Sequence, residues 1–399
     1  MNQIEHIKDE ETSPLVNTSS SPPKRGQVLK TSFFLLLYFA ADMILPMYNK
    51  IVTSGLGSEK KFHYPVTITL VQVGLVALCL MFYCVLERLI KARGNKLVTP
   101  GINSNDAILM EHPGDEWIFS DLRSLLHKVL VLLPVSFLFA GTITLSNLGL
   151  DKVPVNVHVL LKTTSFIWVI IFSFFIKSEI PSFLQITFSL TVITGVVLLG
   201  VDVTKNDWDV TPTAIIINLA SSFFSGAGSV LLRITCLKTD STPGLRMSVI
   251  EITMVKMSLA SIFILIPALV LDTFLKIQTN DTVWQALRDN WIMSLVVLAG
   301  ALLTLTYQTS VVAVTANLRV ISVGVLHQMI TLPQIGLYTI LIATHSLPES
   351  WGIKKTLSTS PLHISGSVLI LVGVFLYACL RIFKTFHGPF KQKILNYVV

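Results

Sequence analysis

Ten apolar runs dominate this chain, at about 32–52, 66–86, 129–148, 153–176, 183–201, 211–236, 248–271, 291–313, 321–344 and 362–383. Each approaches the ~20 residues that a helix needs to cross the hydrocarbon of a bilayer. Inside lipid every backbone N–H and C=O must be satisfied within the fold, so runs of this length form helices. The chain is therefore read as an all-α membrane protein of about ten transmembrane helices. Composition agrees. Of 399 residues 52% are hydrophobic and only 13% charged, against about 25% charged in a soluble domain.

The net charge of +7 would suggest nucleic acid in a soluble protein. Here the basic residues fall between the apolar runs, as membrane insertion requires, and no nucleic-acid partner is expected. About 19 of the lysines and arginines lie on one side of the ten spans and about 8 on the other. The richer side holds the N-terminus, loops 87–128, 177–182, 233–247 and 314–320, and the C-terminus, so both termini are expected in the cytosol. Residues 1–30 contain Glu5, Asp9, Glu10 and Glu11 and then a Ser/Pro stretch. That segment lacks the apolar core of a signal peptide and is too acidic for a transit peptide. It reads as a disordered cytosolic tail, with a second cytosolic tail at 385–399. Within loop 87–128, the stretch Trp117–Leu126 is expected to lie on the membrane surface.

The chain divides near residue 205 into two sets of five spans, 31–205 and 206–384. An odd number of spans per set forces opposite orientations, which predicts two inverted five-helix repeats with a site at the bilayer midplane between them. The fourth and ninth spans look related. Val159-Leu160-Leu161-Lys162 can be laid against Gly324-Val325-Leu326-His327.

Ionisable residues in the middle of apolar runs are the candidates for chemistry. Lys162 is the sharpest, about ten residues into the fourth span, with Thr163 and Thr164 beside it. It reads as an anion contact in a water-filled cavity, against the alternative of a structural ion pair. His327 and Gln328 are its counterparts in the ninth span, either as a polar wall facing Lys162 or as bridges between helices. Asp42 lies mid-span and is placed to neutralise Lys162 or to bind a coupling proton. Glu251 is a second coupling candidate, near the cytosolic end of the seventh span. Lys256, deeper in that span, is a second candidate anion contact. Tyr48 and Asn49 close the first span, with Lys50 expected to snorkel to the headgroups. Tyr307 and Gln308 offer hydrogen bonds to a sugar or ring. The run Ser225–Ser229 reads as close helix packing.

Cys79, Cys84, Cys236 and Cys379 show no metal spacing and read as small apolar packers. The sequon Asn280-Asp281-Thr282 falls on the expected lumenal side as a weak glycosylation candidate. No nucleophile–base pair, phosphate-binding loop, haem motif or metal cluster is present in the sequence, so neither an enzyme nor a cofactor nor a bound metal is expected.

Several segments resemble the drug/metabolite transporter superfamily and, within it, the nucleotide-sugar and triose-phosphate translocator group (solute carrier family 35-like). Tyr48-Asn49-Lys50, followed by Phe62-His63-Tyr64-Pro65-Val66-Thr67-Ile68-Thr69, resembles the group's entry to span two. Val153-Pro154-Val155-Asn156 leading to Lys162-Thr163-Thr164, then Phe172-Ser173 and Lys177-Ser178-Glu179, resembles its fourth span. Gly195-Val196-Val197-Leu198-Leu199-Gly200 is similar to its fifth. The likeness covers roughly 32–383. It implies alternating access and antiport of a nucleotide-sugar or sugar-phosphate solute across a Golgi or endoplasmic-reticulum membrane, with the fourth-span lysine carried over to Lys162. Two positions depart from the group's pattern. His327 and Gln328 stand where a basic pair is usual, and the Gly226–Gly228 run stands where the sixth span often has an arginine.

Two other functions fit the residues. One is a proton-coupled carrier of amino acids, vitamins or organic cations, motivated by Asp42, Glu251 and His327. The other is a non-transporting scaffold or receptor. The expected partners are a small-molecule substrate and the lipid bilayer. The oligomeric state is not encoded in any of these features.

Overall fold

The computed structural model of the chain describes residues 25–54, 64–98, 122–176, 183–205, 211–274, 291–343 and 361–376, apart from 154, 243, 363, 367, 371 and 374. In chain order the helices are α1 (Arg25–Ser54), α2 (Pro65–Val98), α3 (Leu122–Lys152), α4 (Val155–Thr163), α5 (Ser165–Phe175), α6 (Phe183–Lys205), α7 (Pro212–Ser241), α8 (Val249–Pro267), α9 (Trp291–Asn317) and α10 (Val320–Ala343). A π-helical turn, Ala268–Phe274, continues α8. Among the described residues seven helical stretches are long and apolar enough to cross a membrane, and the apolar stretches Ile186–Gly195 and Val320–Thr331 are shorter. The chain is thus an all-helical membrane protein, with the expected fourth span built from α4 and α5.

Several boundaries differ from the sequence reading. Helix α1 starts at Arg25, so the last residues of the expected tail are helical. Loop 87–128 is shorter than expected, because α2 runs on to Val98 and α3 begins at Leu122. The described part of the expected surface stretch, Leu122–Leu126, is the first turn of α3. Residues 149–152, expected as the turn between the third and fourth spans, are instead the last residues of α3, and α4 begins at Val155; a proline between them has no N–H with which to continue a helix. The expected loop 233–247 starts at 242, since α7 carries Arg233 and Lys238 to its end at Ser241. Asn280, both outer tails and most of loop 87–128 lie outside the described residues.

The bundle is inverted with respect to a soluble protein. Phe33, Leu36, Phe82, Ile90, Phe175 and Ile266 are exposed on its outside, while Asp42, His158, Asn218 and Lys256 are buried. This is the arrangement that lipid as solvent selects. The main helix contacts are α3 with α7 and α8, α1 and α2 with α9, α2 with α8, and α5 with α7 and α10. Helix α6 meets the 361–376 segment at glycines: a Cβ on Gly195 would come 2.6 Å from the Gly366 carbonyl, and one on Gly373 would come 2.7 Å from Val192.

Helix ends inside the bundle need partners for their free backbone groups. Lys50 supplies one, and it does not snorkel. Its Nζ donates to the carbonyls of Leu150 (2.9 Å) and Val153 (3.2 Å) at the end of α3. Arg233 closes the end of α9 by donating to the Thr315 carbonyl at 2.9 Å and the Ala316 carbonyl at 2.5 Å. The buried carboxylate of Asp272, in the π-turn, accepts from the Thr67 N–H (2.7 Å) and hydroxyl (2.9 Å) at the start of α2. An anion at that end also meets the positive pole of the helix. Asp272→Ala is expected to lower stability by about 1–3 kcal/mol, the cost of an orphaned buried donor. Asp272→Asn, which keeps an acceptor oxygen, should lose less. Thermal unfolding in detergent compares them, and equal melting of Asp272→Ala and wild type would contradict the capping role.

Candidate functional site

A cavity opens between the helices, with about 1200 Å³ of empty space including its open mouth. Its lining comes from α1, α2, α3, α4, α5, α7, α8, α9 and α10.

The local structure around Lys162 explains why a lysine sits here. Helices α4 and α5 meet at Thr164, where the chain tightens into a three-residue turn. The Leu161 carbonyl at this turn accepts from the Thr164 N–H (3.2 Å), the Thr164 hydroxyl (2.6 Å) and the Ser222 hydroxyl of α7 (3.0 Å). Lys162 therefore lies at the C-terminal end of α4, where a cation is favoured. Ser165 opens α5, and both Lys162 and Ser165 line the cavity. Among the described residues no hydrogen-bond acceptor reaches Lys162. The opposite charge acting on it is Asp42.

Asp42 is itself buried and paired. Its Oδ2 lies 2.7 Å from His327 Nδ1. Tyr38 lies against the same imidazole nitrogen at 3.4 Å, and Tyr307 faces the carboxylate. The two tyrosine rings stack at 5.8 Å between centroids, 14° from parallel. Gln334 anchors the backbone behind Asp42 by donating to its carbonyl at 2.9 Å. The pair thus ties α1 to α10 at the cavity wall.

Lys256, the second basic residue lining the cavity, is committed differently. Its Nζ donates to Gln308 Oε1 at 2.8 Å and sits 4.7 Å from the centroid of the Phe139 ring. At another edge of the cavity Asn49 donates to Asn147 Oδ1 (3.1 Å), Asn147 donates to the Thr69 hydroxyl (2.5 Å), and Thr69 donates to the Pro65 carbonyl (2.7 Å). This chain of amides and a hydroxyl spans α1, α3 and α2.

The structure brings together Lys162, His327, Asn49, Lys256, Tyr307 and Gln308 around one cavity, with Asp42 directly behind His327. It does not bring the others to the lining. Thr163 is buried in the bundle. Thr164 serves the turn, and the Tyr48 hydroxyl donates to the Val296 carbonyl. Glu251 forms a capping box with Ser248 at the start of α8. The side chain of Gln328 lies outside the described residues. Among the described residues no group of histidine, cysteine and acidic side chains could hold a metal ion.

Sequence reasoning passed over Asn147, Thr69, Tyr38 and the buried His158. His158 Nδ1 lies 2.6 Å from Asn218 Oδ1, and its Nε2 lies 3.3 Å from the Ser146 hydroxyl. Amides within apolar runs are the signal that would have found Asn147 and Asn218, since lipid penalises them unless they are paired.

Compared with known proteins, residues 29–328 match the family described as the Triose-phosphate Transporter family. No curated protein matches the chain. A solved structure described only as "Crystal structure of protein" aligns at 12% identity and a TM-score of 0.49, covering 88% of this chain and 98% of that one.

Proposed function

The chain belongs to the triose-phosphate transporter family, part of the drug/metabolite transporter superfamily, and from that premise we propose that it carries an anionic solute of the sugar-phosphate or nucleotide-sugar type by antiport. The observation that carries this reading is the Lys162 ammonium, which lines the cavity with no hydrogen-bond acceptor among the described residues. A cation kept in a membrane interior without a bonded partner is costly, and an anionic ligand offsets that cost. The start of α5 at Ser165 adds the positive pole of a half-helix beside it, as transporter sites for anions use.

The inverted-repeat reading has support in the packing. Matching each span with the one five later exchanges the α3–α7 contact with α9–α1, and α3–α8 with α9–α2. The α4/α5–α7 contact likewise exchanges with α10–α1. Polar bonds follow the same exchange. His158 of the fourth span bonds Asn218 of the sixth, and His327 of the ninth bonds Asp42 of the first, each through Nδ1. Two such halves around one central site are the basis of alternating access by rocking of one against the other. The distribution of basic residues supports cytosolic termini, and the family likeness supports an endomembrane.

The test is exchange in liposomes. Protein reconstituted with internal nucleoside monophosphate or inorganic phosphate should take up at least one member of a panel of labelled nucleotide sugars and sugar phosphates. Uptake should depend on the internal anion. No exchange with any member would sink the reading.

A further inference from the structure

We infer that His327 and Asp42 form a proton site that controls whether Lys162 is available to an anion, so that one proton enters the cavity with the cargo. The second half of this inference rests on the anion reading of Lys162.

A carboxylate oxygen only accepts, so His327 Nδ1 carries the hydrogen that meets Asp42 Oδ2 at 2.7 Å. That fixes Nε2 as the nitrogen left open. No partner for Nε2 is found among the described residues, and the His327 side chain is 20% exposed and lines the cavity. A proton arriving through the cavity therefore lands on Nε2, while Nδ1–H continues to bond Asp42.

The charges then decide the consequence. The titratable and charged groups facing the pair are Tyr38 on α1, Tyr307 on α9 and Lys162 on α4. The faces of α3, α5 and α7 that line the cavity carry no charged side chain, and Lys256 on α8 is held by Gln308. With His327 neutral, the negative charge of Asp42 has Lys162 as its counter-charge, and the three groups sum to zero. With His327 protonated, Asp42 is neutralised by the imidazolium bonded to it. Lys162 is then left with an uncompensated charge in a low-dielectric cavity, which is the condition for holding an anion. Proton and anion thus favour each other's binding, reciprocally. The histidine of the fourth span, His158, is bonded on both nitrogens and faces an amide, so it offers no such site.

The experiment uses the purified full-length protein in lipid nanodiscs, with sulfate as the anion because its charge is constant over the range. Labelled sulfate should bind more tightly as the pH is lowered over a scan from about 8 to about 5. On the alkaline side affinity should drop about tenfold per pH unit, the slope for one proton taken up per anion. His327→Gln should flatten that slope. Asp42→Asn should keep binding sulfate at alkaline pH, where the wild type has released it, because Lys162 is then never neutralised. A second arm needs no anion: proton titrations of wild type and His327→Gln should differ by one group in the same interval. Titrations that superimpose overturn the proposal. So does a sulfate slope unchanged by His327→Gln, or alkaline release by Asp42→Asn equal to wild type. If sulfate binds at no pH while the titrations differ by one group, the anion reading of Lys162 fails and the proton site stands.

Discussion

Replacing Lys162 with alanine is expected to cut exchange of the cargo about 10- to 100-fold. A hydrogen bond to a charged group contributes about 1.5–3 kcal/mol, and each 1.4 kcal/mol is a factor of ten. The Lys162 amine has no hydrogen-bond acceptor to lose among the described residues, so the substitution removes a contact to the ligand and, from the fold, only its through-space compensation of Asp42, which stays bonded to His327. The melting temperature should change far less than the rate. Lys256→Met is the matched control. Its ammonium is already bonded to Gln308 and set against Phe139, so its removal orphans the Gln308 oxygen. That should lower stability by about 1–3 kcal/mol while slowing exchange less than the loss of Lys162 does. Initial rates at matched protein incorporation, with melting curves of the same samples, separate the two effects. Wild-type rates in Lys162→Ala would remove the main support for an anion contact there.

Lys162 was legible in the sequence for a simple reason: a charge in the middle of an apolar run is costly in lipid and has to face protein or water. His327, Lys256 and Asp42 were found in the same way, and the structure sets all four at or directly behind one cavity wall. What the sequence could not supply was the pairing. In sequence Asp42 reads as neutralising Lys162 or binding a coupling proton; that its carboxylate meets His327 depends on how α1 crosses α10. Lys50 read as a headgroup contact because its depth fits that role. Only the fold shows the end of α3 arriving beside it with two free carbonyls. Helix ends failed where helices outran their apolar segment. Residues 87–98 and Arg233–Ser241 are polar enough to read as loops, yet they prolong α2 and α7. The sixth span therefore does contain an arginine, one that closes the end of α9.

Gly226→Ala and Gly228→Ala should have opposite effects on stability, although in sequence both belong to one run of small residues. At Gly226 a Cβ would collide with the Cβ of Trp168 and come within 2.8 Å of the Ser165 carbonyl. Neither neighbour is the movable end of a side chain. Helix α7 crosses α5 here at a distance only glycine permits, as close helix pairs in membranes often do. The added methyl must push the helices apart, at a cost of about 1–3 kcal/mol or more for an overpacked site. The displaced atoms belong to the first turns of α5, beside Lys162, so exchange should fall together with stability. At Gly228 the nearest atom to a new Cβ is the Leu138 Cβ at 3.5 Å, an ordinary contact. There alanine gains up to about 1 kcal/mol of helix propensity over glycine and displaces nothing. Thermal melting should drop for Gly226→Ala and hold or rise for Gly228→Ala. Equal melting of the two would mean that the α5–α7 seam is looser than the contact at Trp168 requires.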